Sequence, residues 1–139
     1  MPTIGDPGRV LAIDVLEIAA EQARGWAGRT AVPGTVLHSW DGDQVDTVLS
    51  LVTALPEAEQ MRCFVPRFAL RLRDAATVLA EIAFCFRCRN GATVSFEPGF
   101  VAPEWFTFDP DSPPALRLLS LFRTAAGTAD GEADRSPRR

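Results

Sequence analysis

Val78-Leu79-Ala80-Glu81-Ile82-Ala83-Phe84-Cys85-Phe86-Arg87-Cys88-Arg89 is the stretch on which the fold turns. In an extended chain Val78, Ala80, Ile82, Phe84, Phe86 and Cys88 face one way, and Leu79, Glu81, Ala83, Cys85, Arg87 and Arg89 face the other. That two-residue period predicts a strand with one face in a core, unbroken from 78 to 89. Upstream, Phe64, Phe68, Leu70 and Leu72 alternate in the same way with Val65, Arg67, Ala69, Arg71 and Arg73, and the link Asp74 to Thr77 has hairpin length. A three-residue turn there sets Glu81 opposite Arg71. Downstream, Asn90-Gly91 is a strong short hairpin signal and leads into a strand over Thr93 to Glu97.

Working outward, a further strand is expected around Trp105 to Phe108, after a loop on Pro98-Gly99 and Pro103, and an earlier one over Thr35 to Trp40. Arg9 to Ala23 carries both signals, Val10, Ile13, Val15 and Ile18 for strand and Ala19 to Ala23 for helix, and is read as strand first. After Asp43, the residues Val45, Val48, Leu49, Val52 and Leu55 recur at helical spacing up to Pro56. A second helix is expected from Ser112 as N-cap and Pro113, with Ala115, Leu118, Leu119 and Phe122 as its buried stripe before Gly127. The sum is an α+β fold, an antiparallel β-meander sheet with two helices packed on one face. Residues 1–126 form one domain, and 127–139, polar and small, form a disordered tail.

Composition narrows the function. The chain has 139 residues, 47% hydrophobic and 23% charged, which suits one globular domain. All 14 basic residues are Arg, so chemistry needing a lysine Schiff base or a P-loop lysine is excluded. Tyr is absent and His38 is the single histidine. With 18 acidic residues the formal net charge is -4, which opposes non-specific attraction to phosphate backbones and argues against nucleic acid as partner. Met1 to Val10 shows no basic start followed by a long apolar run, so no secretory signal is expected. Apolar runs are broken well before the roughly 18 residues of a membrane helix. A cytoplasmic protein without membrane contact is expected, and three cysteines, an odd count, suit reduced thiols there.

Two groups of residues carry chemistry. Cys85-Phe86-Arg87-Cys88 has the spacing of a zinc knuckle or dithiol motif, and Cys63 with His38 could complete a four-ligand metal shell; no cofactor is expected, with zinc as the alternative. On an unbroken strand, however, a separation of three puts the two sulfurs on opposite faces, which favours ordinary thiols that behave as small hydrophobes. The second group is Arg67, Arg71, Arg73, Arg87 and Arg89, expected on one sheet face. A solvated outer face is the plain reading, since a sheet covered on one side commonly shows charge on the other. The functional reading is a partner-binding surface for acidic groups, because Arg recognises carboxylates in bidentate fashion. Phe100, Val101 and Trp105, around Pro103, either cover a core edge or add an aromatic contact patch. Asp41-Gly42-Asp43 with Asp46 looks like a calcium-loop fragment, but Val52 stands where the bidentate Glu belongs, so a turn and helix start are expected.

Cys63-Phe64-Val65-Pro66-Arg67-Phe68-Ala69-Leu70-Arg71, followed by Ile82 to Cys88, resembles a recurrent pattern of an uncharacterised family of small bacterial proteins, C-F-x-P-R-x-G-x-R and then I-C-F-x-C. Ala69 stands where that pattern has Gly, and Arg87 where it often has Glu. The resemblance implies that Cys63, Arg67, Arg71, Cys85 and Cys88 form one spatial unit across two paired strands. The expected function is a non-enzymatic protein-binding module, of immunity or other interaction type, that uses the Arg-rich sheet face. The alternative is a thiol-based zinc-binding or redox protein using Cys63, Cys85 and Cys88.

Overall fold

The computed structural model describes residues 2, 4–26, 30–59, 62–97 and 103–133, with 128–133 described by backbone alone. Its strands are β1 (Ala12–Glu17), β2 (Thr35–Asp41), β3 (Phe68–Arg73), β4 (Val78–Cys85), β5 (Asn90–Ser95) and β6 (Glu104–Thr107); its helices are α1 (Ala20–Gly25), α2 (Asp43–Thr53) and α3 (Pro113–Ala133). The strands lie in the order β2-β1-β3-β4-β5-β6, each neighbouring pair antiparallel. This is the expected α+β fold. β3 to β6 run as a meander, β1 and β2 extend it at one edge, and the ambiguous opening segment is strand first, then helix.

Alternation decides which side chains meet α2 and α3. Ile13, Val15, Phe68, Leu70, Leu72, Ile82 and Phe84 from the sheet join Val45, Val48, Val52, Leu118 and Phe122 from the helices in one buried cluster. Phe84 stands at its centre, with ring centroids 5.7–6.0 Å from those of Phe106, Phe108 and Phe122. Each such pair adds about 0.5–1.5 kcal/mol beyond the area it buries. α2 ends at Thr53, ahead of Pro56, as its sequence predicts.

Three expectations about chain path are corrected. β4 stops at Cys85; residues 86–89 are a turn in which Arg89 takes φ 60°, and Cys85 pairs across it with Asn90. Asn90 and Gly91 therefore open β5 instead of forming the hairpin turn. Gly91 serves close approach: a Cβ there would run into the Phe106 ring and come within 2.6 Å of the Ala83 carbonyl oxygen. α3 continues through Gly127 to Ala133, where the sequence suggested the helix would stop. A glycine in a helix costs about 1 kcal/mol relative to alanine, too little to end one by itself. Residues 134–139 lie outside the described part of the chain.

The fourth correction concerns the opposite sheet face, which is not solvated. Leu16, Ala69, Ala83 and Ala92 stand directly beside one another across β1, β3, β4 and β5. Ile18, Ala23, Trp26 and Val32, from the segment between β1 and β2, close over this row together with Phe64. Three alanines in a row leave the depth that a Trp side chain fills. Over β1, β3, β4 and β5 the sheet is buried on both sides, which sets the environment of the charged residues there.

Candidate functional site

One row further along the covered face, Ser39, Asp14, Arg71, Glu81 and Val94 stand opposite one another across β2, β1, β3, β4 and β5. Glu81 is 1% exposed and Asp14 5%. Charges so deep need partners. Arg71 Nε donates to Glu81 Oε2 at 2.8 Å, and the Val32 N–H donates to Oε1 at 2.7 Å, so the covering segment is fastened to the sheet through this carboxylate. Arg73 donates to both oxygens of Asp14 at 2.8 and 2.9 Å, and the Ser39 hydroxyl adds a third hydrogen bond at 2.6 Å. Burial pushes the Asp14 carboxyl up, but the hydrogen bonds from Arg73 and Ser39 and the charges of Arg73 and Arg71 outweigh it and hold Asp14 below the ordinary aspartate value. The reciprocal hydrogen bond holds Arg73 above its own.

The five arginines expected on one open face thus divide. Arg71 and Arg73 serve the buried ladder, and the register that sets Arg71 opposite Glu81 is the expected one. Arg67, just before β3, pairs with Glu17 Oε2 at 3.1 Å and lies over the Phe68 ring, its Cζ 5.0 Å from the centroid. Arg87 and Arg89 belong to the exposed β4–β5 turn because β4 ends early.

Where β1 and β4 end and β2 and β3 begin, the sheet opens on a groove of about 970 Å³. Glu17 to Ala20 and Gln22 form one wall, Val65 to Phe68 and Phe84 to Arg87 another, and Leu119 with Arg123 of α3 close the side. Three guanidinium groups, Arg67, Arg87 and Arg123, against the single carboxylate of Glu17 leave the lining with an excess of two positive charges on a chain of net charge -4. Phe68, Phe84, Phe86, Leu37 and Leu119 supply its apolar surface. Arg123 and Glu17 were not singled out in the sequence. The spacing held a signal for the first, since Leu119 and Arg123 are four apart and share a helix face.

Trp105 is 51% exposed on edge strand β6 and meets Phe64 edge to face at 4.8 Å. It lines a separate cavity of about 540 Å³ with Arg62 and Cys63 and does not join the arginine groove. Phe100 and Val101 lie outside the described residues. His38 is exposed on β2, 6.0 Å from Trp40.

The cysteines correct the expectation of three reduced thiols. Cys63 and Cys88 form a disulfide, and Cys85 keeps a free, buried thiol. Their pairing, 25 residues apart, has no signature in spacing. Cys85 and Cys88 are not set on opposite faces of one strand as expected, because the chain turns after Cys85 and the Cys88 N–H donates to Cys85 Sγ at 3.3 Å. In this form two of the sulfurs named as zinc ligands are bonded to each other, and among the described residues no group of three or more His, Cys, Asp or Glu is placed to hold a metal ion. No helix among the described residues is long and apolar enough to cross a membrane. No family model, curated protein or solved structure matches the chain significantly.

Proposed function

We propose that this chain is a non-enzymatic binding module whose groove grips an acidic, partly apolar segment of a protein partner. The observation that carries this reading is the convergence of Arg67, Arg87 and Arg123 on an aromatic-walled groove in an otherwise acidic chain. Arg87 and Arg123 are exposed and have no ion pair among the described residues, so their donors are available to carboxylates. Arg67, held by Glu17, is oriented along the wall. The reading moves the partner surface from the sheet face to the sheet end, keeps Arg67 and Arg87 from the expected set, and assigns Arg71 and Arg73 to stability. A protein partner fits it, as does immunity-type covering of another protein. Nucleic acid does not, since a phosphate backbone running beyond the groove meets a chain whose net charge is -4.

Fluorescence anisotropy with a short labelled peptide alternating Glu and Leu tests the proposal. Binding should weaken as salt rises, and Arg87→Glu and Arg123→Glu should each lower affinity by about tenfold or more, ~1.4 kcal/mol. Arg117→Glu, on α3 but outside the groove lining, should leave it unchanged. Equal binding by the two groove variants, or equal binding of a Lys–Leu peptide, rejects the groove as the site.

A further inference from the structure

We propose that Cys63, Cys85 and Cys88 form a thiol–disulfide exchange site in which Cys85 is the resident nucleophile directed at the Cys63–Cys88 bond. The site stands on its own geometry and does not depend on what occupies the groove. Cys85 carries the free thiol, closes β4 and is only 2% exposed, yet it is a wall residue of the groove. The Cys88 N–H holds its sulfur at 3.3 Å, so the free thiol is tied to the same residue that carries one end of the disulfide. Cys85 ends β4 and Cys88 lies in the turn over 86–89 that follows it, so the two sit at the Cys-x-x-Cys spacing of dithiol redox motifs. A Cys85–Cys88 bond can therefore close without separating β4 from β5, whose last ladder pair is Cys85 with Asn90.

The exchange is balanced within the chain. The Cys85 thiolate attacks Cys88 Sγ, the Cys85–Cys88 bond forms as the Cys88–Cys63 bond breaks, and Cys63 leaves as a thiolate that takes up the proton Cys85 gave to solvent. One thiol and one disulfide remain, with no net oxidation or reduction. What changes is the position of the reactive sulfur: Cys85 is buried, whereas Cys63 is an exposed residue. The chain thereby holds an internal thiol that presents itself at the surface on exchange. The same step cuts the tie between the segment leading to Arg67 and the turn bearing Arg87, two parts of one groove wall.

The test uses the full-length oxidised protein, folded and free of reductant, treated with N-ethylmaleimide and mapped by mass spectrometry after non-reducing digestion at acid pH. Exchange predicts maleimide on Cys63 together with a Cys85–Cys88 linked peptide, and a labelling rate that stops rising at high maleimide concentration because exchange comes first. Cys85→Ser and Cys85→Ala, each checked by circular dichroism for native structure, should both abolish Cys63 labelling. Label confined to Cys85, an intact Cys63–Cys88 bond until denaturant is added, or Cys63 labelled equally fast in the Cys85 variants overturns the proposal.

Discussion

Arg71→Met is the substitution that discriminates most sharply between a covered sheet face and an open one. Glu81, 1% exposed, has its two carboxylate oxygens held by Arg71 Nε at 2.8 Å and by the Val32 N–H at 2.7 Å. Removing the guanidinium leaves a buried negative charge with one amide donor, and breaking a buried pair in this way costs about 3–5 kcal/mol. If the face were open, the same pair would be a cross-strand surface ion pair contributing about 1 kcal/mol or less. Pairing Arg71→Met with Glu81→Gln tests the mechanism further. Gln still accepts from Val32 but carries no charge, so the double variant should be more stable than Arg71→Met alone by ~2 kcal/mol or more, a coupling typical of groups in one network. Urea unfolding at neutral pH measures both, followed by circular dichroism and by tryptophan fluorescence, since Trp26 lies in the covering segment. A loss of less than about 1 kcal/mol for Arg71→Met, or no recovery in the double variant, would refute the buried ladder.

Two further predictions follow from the fold. The Asp74 carboxyl is lowered to about 2 by amide hydrogen bonds from Ala76 and Thr77, and Asp14 is lowered as well, so both stabilise the fold fully above the ordinary aspartate range near 3.9 and lose that contribution as pH falls through their folded values. The thermal midpoint should thus hold from neutral pH to about 5 and drop between about 4 and 2; Asp74→Asn should make that drop shallower, and a drop as steep as in the parent chain would remove Asp74 as a cause. Gly91→Ala should destabilise by about 1–3 kcal/mol because the Ala83 carbonyl cannot give way, whereas Gly127→Ala, with nothing within 4 Å, should stabilise by up to about 1 kcal/mol. Calorimetry reads both, and a destabilised Gly127→Ala would contradict a helix running on to Ala133.

What the sequence disclosed, and what it hid, follows from the range of the forces involved. Period-two alternation is local, and it located β3, β4 and the register that sets Arg71 opposite Glu81. The helical stripe of α2 is equally local. The end of β4 was not, because whether Phe86 to Arg89 extend or turn depends on the partner strand: Asn90 pairs with Cys85, and β6 presses Phe106 against Gly91. The Asn-Gly signal was sound as a propensity and was overridden by that packing. The covered face was concealed for a similar reason. Arg71 and Glu81 read as solvent residues until the segment carrying Trp26 and Val32, which has no periodic signature of its own, folds back over them.

The covering segment also explains why the arginines divide as they do. It enters at Glu17, which holds Arg67 at the groove, and returns through Val32, which holds Glu81 against Arg71 in the interior. One stretch of chain therefore forms a groove wall at one end and a lid on the ion ladder further along. Arginines paired with the buried carboxylates Asp14 and Glu81 have partners within the fold, and reversing one of them, as in Arg71→Glu, would set a second carboxylate beside buried Glu81 and destabilise the domain before any partner could be scored. Arginines beyond the lid, on the β4–β5 turn and on α3, are free of that duty. If the groove binds a partner as proposed, loss of binding on substitution at Arg87 or Arg123 would report on recognition, whereas the same loss at Arg71 or Arg73 would report on folding.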